Sequence, residues 1–330
     1  MNVKHSKIIF DLDGVITSEL MYWYAAALTV YELLTDDIDI DIDYCMKNAE
    51  DLYKIVFCDG KTVALVKNLG VNSNWDLALV VLCVAKHLKL QSFEAKQLQK
   101  VYDFINDITV KAPELYDYIY GLTDENIRRG EGKVWSEVLL TFQHWYLGTK
   151  IYIEKYGEPT GKLGREGLAK WQQPIIEISD LHEKLSSLTA SGVTLGIGTG
   201  RPKDEANYPL ELWNIKKYFT PEHCVTYTDV EQAEIETGLI GQLAKPNPFV
   251  FLKATAGSRY TNEQLIRGDY DKRMTEGVLI VGDAMSDLLA AKAGGLEFAA
   301  VLTGIDGDKN REKFAQSGAD YTIESVKKIT

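Results

Sequence analysis

The chain has 330 residues, 45% of them hydrophobic and 25% charged, and a formal net charge of −12. That suits a soluble globular protein of two domains, or of one domain carrying a large insertion. The acidic balance argues against a nucleic-acid partner, because phosphate backbones select basic faces, and no apolar run approaches the roughly 18 residues of a membrane span.

The basic start "MNVKHSK" runs directly into a short strand and lacks the long apolar segment of a signal peptide. Cys45, Cys58, Cys83 and Cys224 are scattered, with no C-x-x-C pair. Free thiols in a reducing cytoplasm are expected, and a zinc site is not.

The first strand signal is "KIIFDLDG" (7–14), an apolar run ending in Asp11 and Asp13 and then glycine. Side chains alternate along a strand, so the two carboxylates would share a face and repel unless a cation or a reaction uses them. Residues 18–174 read differently: long, rich in aromatics and mostly helical in period, as in "NWDLALVVLCVAKHLKL" and "SEVLLTFQHWYLGTKIYIEKYG". The run "DDIDIDIDYC" (36–45) puts Asp39, Asp41, Asp43 and Glu50 in the register of a calcium loop. Tyr44, however, stands where the sharp turn needs glycine, so an exposed acidic segment is expected. "NIRRGEGKVW" (126–135) reads as a helix–helix connection, and "GEPTGKLGREG" (157–167) as the return loop. After it come strand signals at "GVTLGIGTGR" (192–201) and "GVLIVGDAMSD" (277–287), with weaker ones at 223–227, 297–304 and 319–323. Helical segments such as "ISDLHEKLSSLTASG" and "MSDLLAAKAGG" alternate with them. The pattern implies an α/β fold, a Rossmann-like parallel sheet with helices on both faces, made of residues 1–17 and 175–330. A large helical domain, 18–174, is inserted after the first strand. Ligands of such sheets sit beyond the carboxyl ends of the strands, where the polar residues collect here.

Four signals follow one another in order. D-x-D at Asp11 and Asp13 ends the first strand, and "GIGTGRP" puts Thr199 at a second strand end. "AKPNPFVFLKA" puts Lys245 at a helix start, and "GDAMSD" puts Asp283 at a strand end with Asp287 one helical turn on. Each residue alone has an ordinary explanation as a turn, a cap or a surface charge. Together they resemble the haloacid dehalogenase-like (HAD) hydrolase superfamily, of the capped, phosphoglycolate phosphatase-like kind. The resemblance covers the α/β part; the insert, 18–174, matches the position of the family's helical cap of type C1, at about twice the length of a simple one. It implies a Mg²⁺-dependent phosphatase in which Asp11 attacks phosphorus and Asp13 is general acid and then base. Thr199, Gly200 and Lys245 would hold the phosphate, and Arg201 would contact substrate. The metal ligands would be the Asp11 carboxylate, the Asp13 carbonyl and the Asp283 carboxylate, with Asp287 supporting them from behind. The expected partner is a small phosphorylated metabolite. A phosphosugar mutase keeps the same residues, and a non-catalytic binding protein on the same core is the reading from another class. Neither the substrate nor the oligomeric state is legible.

Overall fold

The computed structural model describes residues 5–35, 40–71, 73–90, 92–112, 114–123, 132–159, 161–304 and 307–329. Asp39 of the acidic run and most of the 126–135 connection lie outside them. The chain divides into two compact units, one of Met1–Ser18 with Gln173–Thr330 and one of Glu19–Gln172.

The first unit is built on a six-stranded sheet in the order β3-β2-β1-β4-β5-β6. Its strands are β1 (Lys7–Phe10), β2 (Thr194–Gly198), β3 (Cys224–Val225), β4 (Val278–Gly282), β5 (Glu297–Val301) and β6 (Tyr321–Ile323), and every pairing is parallel. The strands carry near-continuous apolar runs because both faces are covered. Ile8, Phe10, Leu279, Val281, Ala299 and Val301 pack on one face, with Leu181, Leu185 and Leu210 of two helices. The alternate residues Ile9, Val278, Ile280, Phe298 and Ala300 pack on the other, with Phe251, Leu288 and Phe314. A side chain such as Phe10, 1% exposed, contributes roughly 1.5–3 kcal/mol through this burial. Strand order runs outward from β1 on one side and from β4 on the other, so the crevice beyond the carboxyl ends of β1 and β4 is where such a sheet takes a ligand.

The second unit is helical. Its helix Asn74–His87 is buried from Asp76 to Ala85 and capped by Ser73, whose hydroxyl accepts from the Asp76 N–H. In helix Leu20–Thr35 the Tyr22 ring stacks on Tyr146, with centroids 4.2 Å apart, so this aromatic belongs to the packing of the unit. Asp41, read within the acidic run, caps helix Ile42–Lys47 by accepting from the Tyr44 N–H at 2.9 Å. The stretch 136–157, read as helical in period, corresponds to helix Lys133–Tyr156, which breaks at Gly148, where φ is 79°.

Candidate active site

All the motif residues lie in the α/β unit. β1 stops at Phe10, one residue before the aspartates. Asp11 continues the ladder by donating its N–H to the Val281 carbonyl at 2.9 Å. The chain then turns, with the Ile16 and Thr17 N–H groups both donating to the Leu12 carbonyl at 2.8 Å. The two carboxylates therefore take different partners, although sequence alternation put them side by side.

Asp11 Oδ1 accepts from the Leu12 N–H at 2.8 Å and lies 3.1 Å from Lys245 Nζ. The same ammonium lies 2.8 Å from Asp287 Oδ1. Burial alone would depress this lysine, but Asp11 and Asp287 outweigh it and hold the ammonium above its ordinary pKa. Burial pushes the Asp11 carboxyl up; Lys245 opposes this, and Asp287 and Asp13 add to it, leaving Asp11 raised. Lys245 was expected at a helix start. It sits in a turn, because the helix begins only at Phe249, with Pro248 as its cap. Two prolines disfavour helix at the residues before them, and the Asn247 side chain closes the turn by accepting from the Phe249 N–H at 2.9 Å.

Asp11, Asp283 and Asp287 each bring one carboxylate oxygen into a group whose members all lie within 4.8 Å of one another. Asp287 is 1% exposed. Its Oδ2 accepts from the Ala284 N–H at 3.2 Å, and its Oδ1 is engaged by the Lys245 ammonium at 2.8 Å. Three carboxylates brought this close together, those of Asp11 and Asp287 buried, fit a hard cation, which prefers oxygen ligands. The Asp13 carboxylate lies outside this group; the resemblance assigned it a ligand role through its carbonyl alone.

Two glycines leave room for Asp283: Gly14, which follows the paired aspartates in the sequence, and Gly304, which the motifs did not single out. A Cβ on Gly14, whose φ is +69°, would stand 2.0 Å from Asp283 Oδ2, and one on Gly304 would stand 2.3 Å from it. The loop after β5 is tied to the β1 turn, since the Thr303 hydroxyl donates to the Gly14 carbonyl at 2.5 Å. Thr17, also unread in the sequence, links Leu12, Asp13 and Arg201.

Thr199 follows β2, 1% exposed, and donates its N–H to the Val225 carbonyl at 3.0 Å. Its hydroxyl oxygen accepts from the Arg201 N–H at 3.2 Å, which leaves the hydroxyl proton to donate. Gly200 is exposed, and a Cβ there would meet nothing within 4 Å. The Arg201 guanidinium turns to Asp13: Nε lies 3.1 and 3.0 Å from its two oxygens, and Nη2 lies 2.5 Å from Oδ1.

Residues 242–329 match the HAD-hydrolase-like family model, a stretch that holds Lys245, Asp283 and Asp287. No curated protein matches the sequence. The solved structure of Northeast Structural Genomics Consortium target ZR25 is similar with a TM-score of 0.77 and 26% identity, over 98% of this chain and 97% of that one. Phosphatase Tt82 from Thermococcus thioreducens is similar with a TM-score of 0.52 and 17% identity, over 94% of this chain and 99% of that one, a likeness of fold. The resemblance read from the motifs is borne out by the family match of the C-terminal part and by the likeness of fold.

Proposed function

We propose, from a core with the HAD-like fold and a family match across its C-terminal part, that this chain is a Mg²⁺-dependent phosphatase of a small phosphomonoester. The observation that carries this reading is the group of Asp11, Asp283 and Asp287 oxygens with Lys245 against two of them. When bound there, Mg²⁺ would supply charge neutralisation between an anionic nucleophile and an anionic phosphate. Asp11, Asp283 and Asp287 are the residues whose carboxylates would hold it, with the Asp13 carbonyl by resemblance.

With Asp11 Oδ1 engaged by Leu12 and Lys245, Oδ2 is the oxygen assigned to attack phosphorus. The bond from phosphorus to the leaving oxygen breaks, and Asp13 donates its proton to that oxygen. Asp13 then takes a proton from water, whose oxygen attacks the aspartyl-phosphate; the bond to Asp11 breaks and inorganic phosphate leaves. Lys245 and the Thr199 hydroxyl, with the Gly200 N–H, are assigned to the phosphoryl oxygens as their charge redistributes. The helical unit takes the place of the cap in the resemblance, and substrate selection is assigned to it.

The test is phosphate release from a panel of phosphomonoesters with Mg²⁺ and with EDTA, for wild type and Asp11→Asn. Release that needs Mg²⁺ and falls at least a thousandfold in the variant is the expected result, since loss of a nucleophile leaves only the binding contributions. An isomerised sugar phosphate with no free phosphate would replace the hydrolase reading by a mutase. No turnover of any compound would end both.

A further inference from the structure

We propose that Arg201 is a positioning residue that sets the plane of the Asp13 carboxylate, and not a contact to substrate; this rests on the reading of Asp13 as proton donor and acceptor. Arg201 is 2% exposed, which leaves almost no surface for a solute. Its guanidinium presents two donors to one carboxylate, Nε at 3.1 and 3.0 Å from the two Asp13 oxygens and Nη2 at 2.5 Å from Oδ1. Nη2 also donates to Thr17 Oγ1 at 2.7 Å, and that hydroxyl lies 3.0 Å from the Leu12 carbonyl. A planar fork of this kind fixes the carboxylate's orientation as well as its distance, which an ammonium does not.

The arginine is itself held at both ends. Its N–H donates to Thr199 Oγ1 at 3.2 Å, and its carbonyl accepts from the Tyr227 N–H at 2.8 Å. Asp13 is thereby tied, through one side chain, to the ends of β2 and β3 as well as to its own turn. The restraint is needed because the Asp13 side chain is 23% exposed and leads a turn rather than a strand. Left alone it would sample rotamers, whereas proton transfer requires hydrogen-bond distance to the reacting oxygen, and a misplacement of about 1 Å costs up to about a hundredfold. This role was not legible in the sequence, because Arg201 directly follows the stretch assigned to the phosphate and reads there as a substrate contact.

The test compares wild type, Arg201→Gln, Arg201→Lys, Asp13→Asn and the double variant Arg201→Gln/Asp13→Asn on the best phosphomonoester of the panel. Expected are a kcat about 10–100-fold lower in Arg201→Gln at unchanged KM, partial recovery in Arg201→Lys, which keeps the buried charge without the fork, and no further loss from Arg201→Gln once Asp13 is Asn. A KM raised equally in both backgrounds, or fully additive losses, would overturn the proposal in favour of a direct substrate contact. A second readout does not depend on turnover: the side-chain Nε–H signal of Arg201 in ¹⁵N spectra is expected to be slow to exchange in wild type and to shift in Asp13→Asn. An unmoved signal overturns the pairing itself. Wild type inactive on the whole panel with that signal coupled to Asp13 would instead remove the hydrolase reading, and the catalytic part of the proposal with it.

Discussion

At the residue scale the site depends on what is missing as much as on what is present. Asp283 occupies space that a methyl group on either Gly14 or Gly304 would claim. The two glycines differ in what a substitution would do. Gly14 has a φ of +69°, so alanine there strains the backbone as well. Gly304 carries no such conformation, and its added methyl meets the flexible end of the aspartate. Gly304→Ala is therefore expected to leave the fold intact, with a melting temperature within a few degrees of wild type, while it displaces the carboxylate and weakens Mg²⁺ binding at least tenfold. Calorimetric titration of the metal checks this, and unchanged affinity would show that Asp283 is not held by that loop. The charged residues of the site were legible in the sequence because strand ends of an α/β sheet are where fixed residue types gather. Thr17, Thr303 and Gly304 were not: each is an unremarkable residue in a loop, and its part emerges only when the β1 turn and the loop after β5 close on one another.

At the element scale the strands were legible to within a few residues, since apolar runs bounded by glycine admit little else. The stretch at 223–227 shrank to the two residues of β3, which pairs on one side only, at the sheet edge. The break at Gly148 was hidden, because the pattern around it continues as if helical. Its cause is backbone packing: a Cβ on Gly148 would lie 2.7 Å from the Glu166 carbonyl group, and one on Gly167 would lie 2.5 Å from the Leu147 carbonyl oxygen. Just before this crossing stands His144, 2% exposed, with Nε2 2.9 Å from Thr149 Oγ1. Burial first, and then the charge of Arg165, push this imidazole down to about 3 from an ordinary 6.5. Arg165 is itself paired with Glu32 at 2.7 Å and laid over the Trp145 ring at 4.0 Å, so its charge stays in place. Because the folded state holds His144 neutral, its contribution to stability is complete above pH 6.5 and is lost as pH falls toward 3, the unfolded chain taking the proton first. Between pH 7 and pH 5 wild type is expected to lose about 2 kcal/mol more than His144→Asn. Urea unfolding at the two values measures it, and equal losses would mean that His144 is charged in the fold.

At the scale of the whole molecule, 154 consecutive residues interrupt a sheet after its first strand, and the chain comes back beside the point it left. The Ser18 N–H donates to the Gln173 carbonyl at 2.8 Å, and the Ile175 N–H donates to the Ile16 carbonyl at 3.0 Å. Thr17 bridges Pro174 in antiparallel fashion. The outgoing and returning segments thus form a short pair whose ends are within one linker of each other. Both apolar clusters of the sheet draw only on residues outside Glu19–Gln172, and a chain of that size buries roughly 70% of its surface on folding. A closed loop as long as the helical unit adds only a slowly growing entropic cost to the core, and removing it leaves the members of both clusters in the chain. A protein in which Ser18 is joined to Gln173 by a few glycine and serine residues is expected to unfold in one cooperative transition by circular dichroism. Its midpoint is expected to rise with Mg²⁺, because Asp11, Asp283, Asp287 and Lys245 all remain. A broad, non-cooperative melt would show that the sheet needs the helical unit in order to fold. A sharp melt indifferent to Mg²⁺ would place the defect in the carboxylate group instead, and would count against the metal reading in the full chain as well.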